Sequence, residues 1–385
     1  MRGKIAIRSR LILWAAALLL LAGCGPRLQL PFEMEVGQHF DAVITKERRF
    51  SYDGDVVSSQ RASLPVRIQV LERNDKGFVT VWHHGCMGSE EIDSERAIIE
   101  QRLAGVSTGL LFFEGIDFNI QTDEFGRPWK LLNRFEVRGA LGKRVETVQA
   151  EFDAITAAGA IDPVSAYNLS EILKRYKRFF IAEANLEVEM ELLTEAILLT
   201  SFNGESLPLG GRERYSRERF NPFRAAPVST SGHIAVTDLD EAAQRAWVEW
   251  STEVDPESYK RSLAYLWPRL QAEPAKKRTR AWAKPEEIPD FDIRYFGLLD
   301  IDLATGLTRD AKLEARTTVE NERHQTITRI VQQPASDTRL IPQAERSFAA
   351  CRPRLQAVLP AWPPSAQVTR SSLTSERTGN TVRPL

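Results

Sequence analysis

The sequence predicts an α+β fold of antiparallel β-sheets with central and intervening helices. Three observations carry that expectation. Apolar residues alternate with polar ones over much of 33–83, a 3.6-residue apolar period runs through 162–202, and alternating text returns after 230. With helices in the middle, the body divides into two similar halves, 33–160 and 205–334.

In Ser63–Leu71, Leu64, Val66, Ile68 and Val70 share one face of a strand, and Phe78–His83 follows the turn Asn74-Asp75-Lys76-Gly77. Glu90–Leu103 has helical spacing. Strand text resumes at Leu110–Gln121 and Lys130–Val137, around a turn at Asp123–Pro128. Asp162-Pro163 is a helix start, with Asp as cap and Pro at the first helical position. Leu169, Ile172, Leu173, Tyr176 and Phe180 hold the helical period, and Leu186, Met190, Leu193 and Ile197 continue it until Phe202-Asn203-Gly204. Ser231–Val236 and Ala246–Val254 read as strands, the second with Ala246, Val248 and Trp250 on one face. Asp255-Pro256 opens a further helix over Glu257–Gln271. A Pro- and Lys-rich connection, Glu273–Asp290, leads to strands near Ile293–Leu303, Ala311–Val319 and His324–Val331. A weak echo links Asp117–Gln149 with Asp300–Gln332, each a glycine turn followed by two alternating strands.

With 385 residues, 43% hydrophobic and 27% charged, the composition is that of a folded protein, and it excludes a collagen-like, fully disordered or multi-span membrane chain. A net charge of -1 argues against a nucleic-acid partner, which would demand a basic excess. That figure sums unlike parts. Residues 1–23 carry four cations and no acid. Residues 335–385 hold seven Arg against Asp337, Glu345 and Glu376, and their Pro-, Ser- and Thr-rich text reads as a basic, largely disordered tail. Setting aside these two excesses of four leaves -9 on 24–334.

The first segment places Arg2, Lys4, Arg8 and Arg10 before an apolar run, Leu11–Ala22, that is too short to cross a ~30 Å hydrocarbon core. It ends Leu21-Ala22-Gly23-Cys24. This text resembles the signal peptides of bacterial lipoproteins, whose lipobox reads Leu-Ala-Gly-Cys in its commonest form. The resemblance covers residues 1–24. It implies a signal peptide over 1–23, cleavage before Cys24, a diacylglyceryl thioether on its sulfur and acylation of its new amine. Several acyl chains hold a protein at a membrane without a spanning helix. Gly25 stands where an Asp would signal inner-membrane retention in enteric bacteria, so the resemblance implies a periplasm-facing, lipid-anchored protein of the cell envelope, lodged in the outer membrane. Residues 24–32 read as a lipidated N-terminus and short linker.

Three groups are candidates for chemistry. His84, Cys86 and Met87, with Gly85 allowing a bend, offer imidazole and soft sulfur donors suited to a metal such as copper; a strand end with one structural cysteine is the simpler interpretation. Once Cys24 carries lipid, Cys86 and Cys351 are the remaining thiols, and an oxidising envelope makes a disulfide their natural fate. Arg212, Arg214, Tyr215, Arg217 and Arg219 concentrate guanidinium forks around a ring, a surface for phosphate, carboxylate or an acidic partner, although Glu213 and Glu218 interleave with them as on a self-paired, solvated strand. Phosphate-binding, metalloprotease, dinucleotide and nucleophile-elbow motifs are missing, and no cofactor is expected. Asp238/Asp240 and Asp300/Asp302 sit in turn-like text, where Asp bonds to backbone.

The sequence therefore predicts a non-enzymatic envelope lipoprotein that binds an apolar ligand or a protein partner. A curved sheet closed by a helix encloses a lipid-sized space in the lipoprotein-carrier folds. A periplasmic hydrolase of envelope glycan, or a metal-binding envelope protein, are the alternatives.

Overall fold

The computed structural model describes residues 26–87, 95–157, 159, 161, 163–177, 192–219, 227–264 and 288–333. It is mostly β rather than α+β: among the described residues strands make up 50% and helices 26%. The strands are β1 (Arg27–Gln29), β2 (His39–Tyr52), β3 (Asp55–Asn74), β4 (Gly77–His84), β5 (Asp117–Thr122), β6 (Pro128–Leu131), β7 (Ser206–Pro208), β8 (Glu213–Arg219), β9 (Val228–Asp240), β10 (Arg245–Val254), β11 (Phe291–Asp302), β12 (Thr308–Val319) and β13 (Glu322–Gln332). The described α-helices are α1 (Glu95–Thr108), α2 (Arg134–Ala157), α3 (Pro163–Lys177), α4 (Thr194–Thr200) and α5 (Pro256–Leu263).

The α+β expectation fails because the two strand regions are not separate sheets. β2 pairs with β13, placing Ile44 opposite Ile330, and this fuses everything into one antiparallel sheet of eleven strands, in the order β6-β5-β4-β3-β2-β13-β12-β11-β10-β9-β8. The echo between halves also stops short. After its glycine turn the first copy has the four-residue β6 and then the 24-residue helix α2, whereas the second has two long strands, β12 and β13. Residues 110–112, read as strand, form a turn of 3-10 helix with wholly buried side chains. The α2 stripe of Val137, Leu141, Val145, Val148, Phe152 and Ile155 is buried. Its spacing of three and four residues is helical text.

Local signals work as physics requires. Asp255 accepts a bond from the Ser258 N–H at 3.0 Å, and Pro256 takes the first helical position of α5. The β2–β3 turn places Asp53 and Gly54 at positive φ, the backbone a tight hairpin with right-handed twist needs.

The sheet is curled. Arg127, before β6, is ion-paired with Glu205 at 2.6 Å, and Leu209, four residues on, bridges to Val236 of β9. In a flat sheet β6 and β9 stand nine strand spacings apart, about 43 Å. Four residues of chain reach at most ~14 Å, and two side chains cannot supply the rest. The two edges must therefore approach each other. A two-stranded ribbon, β1 with β7, closes the base of the curl. Residues 26–32 are thus no linker: Leu28 pairs with Leu207, Leu30 is 1% exposed, and the Phe32 ring packs on Gly126 and Phe78.

Candidate functional site

The registers sort the sheet into two unlike faces. On the inner face one row runs across seven strands: Leu64, Ile44, Ile330, Ala311, Leu299, Val248 and Val236 stand side by side, all buried. The next row, farther from the base, reads Ala62, Lys46, Thr328, Leu313, Gly297, Trp250, Ile234 and Glu213. The third holds Arg48, Thr326, Ala315, Tyr295, Thr252, Gly232 and Tyr215. Polarity thus rises from base to rim. The outer face is ion-paired instead: Arg67 with Asp41, Arg245 with Asp300, Arg316 with Glu314 and Arg329 with Asp310.

Over β8–β12 the inner face is aromatic and partly open. Trp250, Tyr295, Leu313, Ala315 and Tyr215 are all half-buried. Two glycines set this surface. A Cβ at Gly297 would collide with the Trp250 indole, and one at Gly232 with the Ser251 carbonyl and the Tyr215 hydroxyl. Glycine in a strand interior marks such a close approach. Tyr215 crosses Gly232 and donates to the Ser251 carbonyl at 2.7 Å, with Thr252 Oγ1 at 2.5 Å. Trp250 Nε1 is shielded from solvent with no acceptor among the described residues.

The other end of the inner face is filled. α1 packs on β2 and β3, and α4 on β6, β12 and β13. Glu195 of α4 meets Lys46 at 2.5 Å, with the two side chains 6% and 13% exposed, and the ammonium lies 5.8 Å from the Phe113 ring centre. In the helical layer Glu114 sits between Arg144 and Arg102, and Arg102 pairs with Glu151 at 2.5 Å. Glu114 also accepts from the Met87 N–H at 2.8 Å. Burial and the like charge of Arg102 pull the Arg144 guanidinium down to about 10, which leaves it charged at neutral pH. These networks join α1 and α2 and serve packing.

The metal candidates are engaged otherwise. His84 Nδ1 lies 2.7 Å from the Ile116 carbonyl, so the neutral ring donates there, and its edges touch Phe113 and Phe118. Burial holds its pKa below the ordinary histidine value. Cys86 is disulfide-bonded, and the Met87 thioether packs on Gly105. Among the described residues no three His, Cys, Asp or Glu side chains are grouped to hold a metal ion. Cys24 and Cys351 lie outside the described residues.

The basic group occupies β8, an edge strand. Tyr215, Arg217 and Arg219 share the inner register and Arg214 the outer; the Arg219 side chain is outside the described set. Arg212 approaches Glu249 at 3.6 Å, and Arg217 stacks 5.5 Å from the Tyr215 ring centre. Charges on an edge strand discourage pairing with another chain. Of the acid pairs, Asp240 and Asp302 accept from backbone N–H groups of the turns that follow their strands, Asp238 accepts from the Leu239 N–H within β9, and Asp300 pairs with Arg245. Sequence reasoning did not single out Trp250, Tyr295 and Leu313 as a site. The alternation of Ala246, Val248 and Trp250 and the lone glycine at 297 were the readable signals.

No family model matches the chain, and no curated protein does. Among solved structures, a chain described as lipid–protein interactions in lipovitellin is similar at a TM-score of 0.37 and 8% identity, over 82% of this chain and 27% of that one. The chain therefore spans about a quarter of that protein's length. Likeness at this level says nothing of function. No described helix is long and apolar enough to cross a membrane.

Proposed function

We propose that this chain is a lipid-anchored envelope protein, tethered through Cys24, that holds an apolar ligand against the inner face of its curled sheet. The observation that carries the reading is the gradient across three inner rows. A wholly apolar base leads to half-buried Trp250 and Leu313, and then to the tyrosines and threonines of the third row. Such a surface fits an amphiphile with its chain toward the base and its polar end toward the rim. Tyr and Trp suit that boundary because each carries an apolar body and a polar tip.

The test is saturable binding of an apolar fluorophore, N-phenyl-1-naphthylamine, to the full chain, alongside native mass spectrometry of membrane-extracted protein for bound lipid. Leu313→Arg, on the inner face, should weaken probe binding by about tenfold or more, the cost of placing a charge in an apolar site. Leu298→Arg, one residue from Leu299 but on the outer face, should leave it unchanged. Equal effects of the two variants, or binding that never saturates, would refute the reading.

A further inference from the structure

The edge strand β6 and the start of α2 carry a surface that ligand binding on the inner face does not use. Trp129, Leu132 and Phe135 are 48%, 43% and 68% exposed. They fall within seven consecutive residues, and the stretch 128–138 also holds Lys130, Arg134 and Arg138 against the single acid Glu136. This basic excess stands on a body whose net charge is -9.

The exposure is built in. Trp129 is the extra residue of a β-bulge: Gln121 pairs with Lys130 and Thr122 with Pro128, leaving Trp129 out of the ladder. Bulges at sheet edges re-aim side chains in this way. Leu132 donates its N–H to the Asn119 carbonyl at 2.7 Å, and Asn133 is bonded to both Asn119 and Asp117. Phe135 follows on the first turn of α2, with the Arg134 guanidinium 4.8 Å from its ring centre. These large apolar groups therefore project from backbone pinned to the sheet.

Their place in the fold names the occupant. Arg127, two residues before Trp129, pairs with Glu205; the Glu205 carbonyl accepts from Leu30; and Leu30 is four residues from Pro26. Arg27 in turn pairs with Glu213 of β8 at 2.9 Å. The patch and the end of the chain nearest Cys24 thus lie along one seam, where the two edges of the curled sheet approach. Trp, Phe and Leu interleaved with Lys and Arg form the side-chain mixture that settles at a bilayer interface, rings at headgroup depth and cations on anionic headgroups.

We infer that residues 129–135 dock on an anionic phospholipid surface and fix the seam of the sheet against the membrane. The inference rests on tethering at Cys24 but not on a ligand at the inner face. The full chain is reconstituted into vesicles of phosphatidylcholine, with or without phosphatidylglycerol, carrying brominated acyl chains. The Trp129 signal is taken as wild type minus Trp129→Phe, and Trp247, on the outer face, is measured the same way as a control. On anionic vesicles Trp129 emission should fall at least about twofold while that of Trp247 is unchanged. Lys130→Glu with Arg134→Glu should return Trp129 to its brightness on phosphatidylcholine alone. Equal quenching of Trp129 and Trp247 overturns the inference. So does shielding of Trp129 that grows with protein concentration and ignores bromine, the signature of a second copy. Leu313→Arg should not alter Trp129 quenching, which separates this test from that of the ligand reading.

Discussion

Replacing Glu195 by Leu should destabilise the body more than its position on a seven-residue helix suggests. The Lys46–Glu195 pair is the one ion pair described between the inner face of β2 and α4, and neither side chain has much access to water. At 2.5 Å and an effective dielectric near 20, the attraction is about 6–7 kcal/mol before desolvation is subtracted. Removing only the carboxylate takes away the buried charge that faces the Lys46 ammonium beside Phe113, a change worth ~3–5 kcal/mol. Unfolding entropy near 2.1 cal/mol/K per residue over roughly 300 residues converts this to a fall in melting temperature of about 5–8 °C. The double variant Lys46→Met/Glu195→Leu removes both charges and should recover most of the loss. Urea unfolding followed by circular dichroism measures all four corners of the cycle. A cost below about 1 kcal/mol for Glu195→Leu, or a double variant whose loss is the sum of the singles, would show that the pair is not buried as a unit.

Other expectations follow from the same geometry. His84 is neutral and buried, so its folded pKa lies below its unfolded one; the stability it contributes is complete above the ordinary histidine value near 6.5 and is lost as pH falls from there toward the folded pKa. Urea midpoints between pH 7 and 5 should therefore drop, and His84→Phe should flatten that slope. Arg144→Leu takes from Glu114 its nearest cation, leaving it the Arg102 guanidinium at 3.9 Å and the Met87 N–H, and should cost ~3–5 kcal/mol, read in the same unfolding assay. Non-reducing peptide mapping should find Cys86 joined to Cys351 and Cys24 in a lipidated peptide. Gly297→Val should push the Trp250 indole off its seat, shifting its emission and lowering probe affinity, whereas Gly139→Ala, in open space on α2, should alter neither.

Much of the local structure was legible. The alternation at 63–71 and 246–254 gave β3 and β10 their faces, and Asp255-Pro256 gave the start of α5. What failed was long-range. Nothing in the text of Thr45–Arg49 states that its partners are Ser59–Ser63 on one side and Gln325–Arg329 on the other, so one sheet was read as two. α2 was legible yet misread, because Gly139, Gly142 and three valines weaken helix propensity and the two-residue alternation at 130–137 drew attention from the stripe running through to Ile155. The aromatic face was legible only in part. Strand parity aligned Trp250 with Val248, but its meeting with Gly297 is a cross-strand fact that no single segment contains.

The ribbon that closes the base has a mechanical consequence. Pro26, two residues from Cys24, is already bonded to Leu209, and Arg27 to Ser206 and Glu213. Under the proposed anchoring at Cys24 the leash would be about 7 Å long, too short for the body to swing far from the membrane. Any pull on the anchor is delivered directly to three strand pairs and the latch they form under the apolar row. Tension at the membrane and closure of the floor are then a single mechanical coordinate.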